Sequence, residues 1–215
     1  MSVEELYPFL YAGGGNAVAD VLAEVRRSTA DKAAEIVALR QRIAADYADR
    51  LDACAAALAG SFRAGGRMFT FGNGGSSSDA QAVAQLFLDP GSGIRALPAV
   101  ALTTDVAVVT ALSNDVGFEV VFARQLAAFA RPGDVAVGLS TSGGSANVLA
   151  AFAEARRLGL VTVGFAGYDG GRMAEAAAAG AIDHLFVVPS ASVHRIQEAQ
   201  TTTYHVLWEL TQSCL

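Results

Sequence analysis

At 215 residues, 53% of them hydrophobic and only 17% charged, the chain fits one α/β domain with a helical addition, and it needs a large core or a buried subunit interface. The net charge of −6, without a basic cluster, argues against nucleic acid as the main ligand. No apolar run reaches the ~20 residues that cross a bilayer, and the acidic start MSVEELYPFLYAGGG is not a signal peptide, so the expectation is a cytoplasmic protein with no membrane partner.

Residues 1–15 hold three aromatics and then Gly13-Gly14-Gly15, which reads as a loose or partner-packed arm. A helix is predicted from Asn16 to about Ser28, with Val18, Val21, Leu22 and Val25 on one stripe. A second runs from Ala30 or Asp31 to about Ala59, with Ile36, Leu39, Ile43, Tyr47, Leu51, Cys54 and Leu58 three to four apart. The division expected is residues 1–60 as arm and oligomerising helices and 61–215 as the ligand-binding domain. Cys54 and Cys214 form neither a metal spacing nor a disulfide framework, as suits a reducing compartment.

From Arg67 the pattern changes. Arg67–Phe71 reads as a strand, residues 72–79 (GNGGSSSD) as a glycine/hydroxyl loop, and Ala80–Leu88 as the following helix. Ala99–Leu102 is the next strand. Val106–Leu112 is a short helix stopping at Ser113-Asn114-Asp115, and Phe118–Ala130 is another helix. Val135–Leu139 is an apolar strand buried on both faces, with Pro132-Gly133 before it and Ser140-Thr141-Ser142-Gly143-Gly144-Ser145 after it. Ala146–Leu158 is helical, Leu160–Phe165 a strand, and GYDGG at 167–171 a turn before an alanine-rich helix. Leu185–Val188 is the last strand and Val193 to about Ser213 the last helix. Alternating strands and helices demand a parallel sheet with right-handed crossovers. The expected fold is a three-layer α/β sandwich, with a five-stranded parallel sheet of flavodoxin-like topology plus the N-terminal helices.

The loop at 140–145 points to chemistry. A strand, a small polar loop and a helix leave free N–H groups at a positive helix end, which favours an anion. Gly143 and Gly144 let backbone approach a ligand, and Ser140, Thr141, Ser142 and Ser145 offer hydroxyls. No lysine follows, so this is not the nucleotide P-loop pattern; a small phosphorylated metabolite fits better. The plain alternative is a βα turn whose Ser145 caps the helix. A second Ser/Gly loop at 72–79, also after a strand, favours the ligand reading, because ligands on such sheets sit outside the carboxyl ends of the strands.

GNGGSSSDA at 72–80, SND at 113–115, STSGGSAN at 140–147, GYDGG at 167–171 and RIQE at 195–198, in that order, resemble the SIS (sugar isomerase) fold. The nearest branch is that of phosphoheptose isomerases, which convert sedoheptulose 7-phosphate to a heptose 7-phosphate, commonly as homotetramers. The resemblance spans about residue 16 to the C-terminus. It implies that Ser140, Thr141, Ser142 and Ser145 hold the phosphate of a sugar phosphate. Asn73, Gly74, Gly75 and Ser76 would line the sugar, and Asn114 and Asp115 would contact its hydroxyls, unless they are simply a turn. Gln197 and His205, eight apart on the last helix, stand where the family builds part of its catalytic and metal site; a structural histidine is the alternative for His205. Asp79 is open to reading as a helix cap.

One departure decides how far the resemblance carries. The family places a His and, four residues on, a Glu on the helix after the first loop. Here those positions are Ala82 and Leu86. Aldose–ketose isomerisation needs a base for the carbon proton and an acid for the oxygens, and the base is missing. With two of four ligand positions lost, the family's tetrahedral zinc site is incomplete, so no cofactor is expected. Asp89, Glu119, Glu198 and Asp115 are the candidate replacements for the carboxylate. Two classes therefore stand open. One is a phosphosugar isomerase with a rearranged acid/base set around Gln197 and His205. The other is a non-catalytic phosphosugar sensor or adaptor with a protein partner, since a tetrameric relative of this branch binds the bacterial replication initiator.

Overall fold

In the computed structural model, residues 15–215 are described, and side chains from Val18 onward. By internal contacts the chain falls into two units, Met1–Ala38 and Leu39–Leu215. The expected N-terminal arm lies outside the described residues, apart from Gly15.

The predicted pair of N-terminal helices is instead one unbroken helix, α1 (Gly15–Arg63). Ser28-Thr29 looked like a helix start because hydroxyl residues favour N-caps. Here Thr29 Oγ1 donates back to the Val25 carbonyl at 2.8 Å, so the hydroxyl is satisfied within a continuing helix.

The second unit continues with β1 (Met68–Gly72), α2 (Gly75–Leu88), β2 (Ala99–Ala101) and α3 (Val106–Asp115). After a 3₁₀ turn at Phe118–Val120 come α4 (Val121–Phe129), β3 (Val135–Ser140) and α5 (Ala146–Leu158). Then follow β4 (Val161–Gly167), α6 (Gly171–Ala178), β5 (His184–Val188) and α7 (Val193–Ser213). The five strands form one sheet, all parallel, in the order β2-β1-β3-β4-β5. This is the expected flavodoxin-like arrangement.

Two faces of the sheet carry two cores. Met68 of β1 and Val135, Val137 and Leu139 of β3 pack with Leu51, Leu58 and Phe62 of α1, Val83 and Phe87 of α2, and Leu207 of α7. Phe69 and Phe71 point the other way, to Phe122 and Leu126 of α4 and Val148 and Phe152 of α5. Alternation along β1 is the reason, since successive side chains leave opposite faces of a strand. Phe71 sits 5.5 Å, centroid to centroid, from both Phe122 and Phe152. A Cβ on Gly138 would meet Phe152 at 2.5 Å and Phe71 at 2.7 Å, so glycine in β3 is what lets this aromatic trio close. The outer edge of β5 is covered too. Tyr47 of α1 both donates to the Val187 carbonyl and accepts from the Val187 N–H, each at 3.1 Å, and Arg50 donates to the Leu185 carbonyl. Covering an edge in this way blocks pairing with another strand.

Three element boundaries differ from those expected. The predicted loop at 72–79 ends early: α2 begins at Gly75, so Ser76 to Asp79 are helical. Asn114 and Asp115 form the last turn of α3 rather than a stop beyond it. The predicted helix at Phe118–Ala130 opens as a 3₁₀ turn. His184, which opens β5, is half-buried, and burial pushes its pKa down.

Candidate functional site

β1 and β3 are neighbours, with Gly72 opposite Leu139. Their loops therefore leave the same edge of the sheet side by side, at the carboxyl ends of the strands. Glycine is required at 72, because a Cβ there would meet the Ser76 and Leu139 carbonyl oxygens at 2.5 and 2.9 Å. The loops are joined by a reciprocal amide pair. Asn73 Nδ2 donates to Asn147 Oδ1 at 2.8 Å, and Asn147 Nδ2 to Asn73 Oδ1 at 2.9 Å. Asn147, only 3% exposed, is a site-shaping residue that the sequence reading quoted in its motif but gave no role.

The second loop gathers its hydroxyls. Ser140 Oγ lies 3.0 Å from Ser145 Oγ and 3.5 Å from Ser142 Oγ, and Ser142 Oγ accepts from the Gly144 N–H. Ser145 occupies the N-cap position of α5, but its side chain makes no capping bond. The hydroxyl faces Ser140 instead, which removes the simple-cap reading and leaves the first-turn amides of α5 for an anion. Thr141 is anchored from behind, its carbonyl accepting from the Gly167 N–H at 2.9 Å; the Gly143 carbonyl accepts from the Met173 N–H at the same distance. Gly143 has φ +64°, and a Cβ on it would run into the Gly170 carbonyl. The GYDGG turn thus buttresses the hydroxyl loop.

Around the first loop, Gly74 and Gly75 are exposed and Ser76 is buried. A cavity of about 180 Å³ is lined by Gly72, Asn73, Gly74, Ser77, Thr103, Val109, Phe118 and Phe122. Ser77, Thr103 and Phe118 escaped the sequence reading; only their closeness to loop residues hinted at them. Asn114 and Asp115 are exposed, bond to each other at 2.7 Å and do not line this cavity. A wider hollow of about 560 Å³ lies over β2, lined by Ala82, Gln81, Gln85 and neighbours, but none of its lining residues is titratable.

The last helix brings Gln197 to the first loop. Its Nε2 donates to Asp79 Oδ2 at 3.3 Å, and a Cβ on Gly75 would strike its amide. Asp79 therefore reaches across to α7 and does not cap its helix. Burial raises the Asp79 pKa, partly offset by the bond from Gln197. Burial also pushes the Tyr204 hydroxyl up, with a smaller push from the Asp79 charge. Glu198, a candidate base, is paired with Arg195. Glu119 and Asp89 are exposed, Asp89 closing α2. His205 lies ~12 Å further along α7 by helix rise; it is exposed and stacks on Tyr204 at 5.3 Å. The family's zinc does not fit these residues. The side chains of Ala82 and Leu86 have no donor atoms, and no group of three or more His, Cys, Asp or Glu converges among the described residues.

Five parallel strands, paired loops at one edge and a hydroxyl-lined helix end define an α/β fold with a candidate anion site at the carboxyl ends of its strands. The family model described as the SIS domain matches residues 33–167, and the chain belongs to that family. Within it, several similar proteins are phosphoheptose isomerases. That of Roseiflexus sp. (strain RS-1) is 43% identical over 178 residues, 82% of this chain and 88% of the other. That of Aquifex aeolicus (strain VF5) is 44% identical over 167 residues, 77% and 85% of the two chains. The solved phosphoheptose isomerase of Neisseria gonorrhoeae superposes with a TM-score of 0.79 at 34% identity, over 88% of this chain and 99% of that one.

Proposed function

We propose that the chain binds a sugar phosphate across its two loops, with sedoheptulose 7-phosphate as the first ligand to test, and that it does so without fast isomerisation. The observation that carries this is the cluster of Ser140, Ser142 and Ser145 hydroxyls at an α5 N-terminus that no side chain caps. Thr141 and the first-turn amides complete the phosphate cradle. Asn73, Gly74, Gly75, Ser76 and Gln197 hold the sugar, with Asn114 and Asp115 at its rim. The loss of catalytic power follows from Ala82 and Leu86, which neither move a proton nor bind metal. On this reading the protein is a cytoplasmic phosphosugar sensor or adaptor for a protein partner. Val18, Leu22 and Val25, exposed at helical spacing on α1, support assembly into a homotetramer through the N-terminal segment of residues 1–60, with 61–215 as the binding domain.

The second reading is an isomerase with a rearranged acid/base set that includes Gln197 and His205. It is favoured by the similarity to phosphoheptose isomerases at 43%, 44% and 46% identity. Incubation with sedoheptulose 7-phosphate in deuterated water, followed by NMR at the carbon beside the carbonyl, separates the two. Thermal stabilisation without exchange is expected. Exchange at an enzyme-like rate that His205→Ala abolishes would establish the isomerase instead.

A further inference from the structure

Asp79 is a half-buried acid, and neither the phosphate cradle nor the proposed sugar contacts use it. We propose that Asp79 is a positioning residue that holds the Gln197 amide nitrogen inward, so that Oε1 is the atom presented to a sugar hydroxyl above Gly75. This rests on the sugar-phosphate reading. Gln197 Nε2 is engaged by Asp79 Oδ2, whereas its Oε1 has no partner among the described residues and the side chain is only partly buried. A carboxylate is acceptor-only, so an ionised Asp79 admits one amide orientation. The missing Cβ at Gly75 is what gives the amide its place: any side chain there would displace it. Keeping an ionised carboxylate in a site that resists its charge is a cost to the fold, as its raised pKa records, and such costs gather at functional positions.

Calorimetric titration of the full chain with sedoheptulose 7-phosphate and, separately, with inorganic phosphate tests this. Asp79→Ala should weaken the sugar phosphate about five-fold at neutral pH, the worth of one hydrogen bond, and leave inorganic phosphate affinity unchanged. Asp79→Ala should add nothing in a Gln197→Ala background, because it acts through that amide. If Asp79→Ala disturbs folding, Gly75→Ala perturbs the same amide from the other side and should give the same sugar-selective loss. Equal losses for both ligands, undiminished loss in the Gln197→Ala background, or no loss at all would overturn the proposal while leaving the cradle intact. Failure of wild type to bind either ligand would overturn the cradle and the proposal together.

Discussion

Replacing Asn73 with alanine should be more damaging than replacing Asn147, although each removes the same two hydrogen bonds. The pair is worth about 2 kcal/mol if each bond contributes ~1 kcal/mol net. Asn73→Ala leaves the Asn147 amide buried at 3% exposure without partners, which adds the desolvation of an unsatisfied amide, about 1–3 kcal/mol. Asn147→Ala leaves Asn73, which is half-exposed and open to water, and puts a better helix former in the first turn of α5. The expected losses are about 3–5 kcal/mol and about 1–2 kcal/mol, respectively. The double variant should cost less than their sum, because removing both partners leaves no orphan. Denaturant unfolding of the four proteins gives the numbers, with equal slopes required for the comparison. Equal single costs that add without coupling would show that the amide pair does not hold the loops together.

Three other outcomes follow from the site. Ser140→Ala with Ser145→Ala should weaken inorganic phosphate and sugar phosphate alike by about ten-fold, at ~1 kcal/mol or less per hydroxyl; unchanged affinity by titration would refute the assigned cradle. Asp79→Asn should raise the melting temperature at neutral pH. The folded-state pKa of Asp79 is raised, so its contribution is fully favourable below the unfolded value and is lost as pH rises through the folded one. The stabilising effect of the substitution should therefore shrink towards acid, and calorimetric melts across pH check the sign. Gly143→Ala forces a side chain into positive φ and against the Gly170 carbonyl. It should cost at least ~1–3 kcal/mol and abolish phosphate binding, and a variant with wild-type affinity by the same titration would show the buttress to be slack.

Much of this molecule is written locally in the chain. Short apolar runs mark the strands, which are buried on both faces, and period-3.6 patterns mark the helices, which bury one side. The glycine and serine clusters mark the loops, since only such residues tolerate the turns and offer hydroxyls. The replacement of two reactive positions by Ala82 and Leu86 is plain from the residues themselves. The start of α2 at Gly75 and the continuity of α1 through Ser28-Thr29 were not legible. Hydroxyl residues favour caps and turns on their own, and a helix overrides them by back-bonding the hydroxyl, as Thr29 does. Only the tertiary structure decided which groups meet. The order β2-β1-β3 sets loops 68 residues apart, Gly72 and Ser140, at one edge. The sheet then pairs Asn73 with Asn147, and α7 lays Gln197 on Asp79. These contacts span 74 and 118 residues of chain, and no local period encodes a partner at that separation.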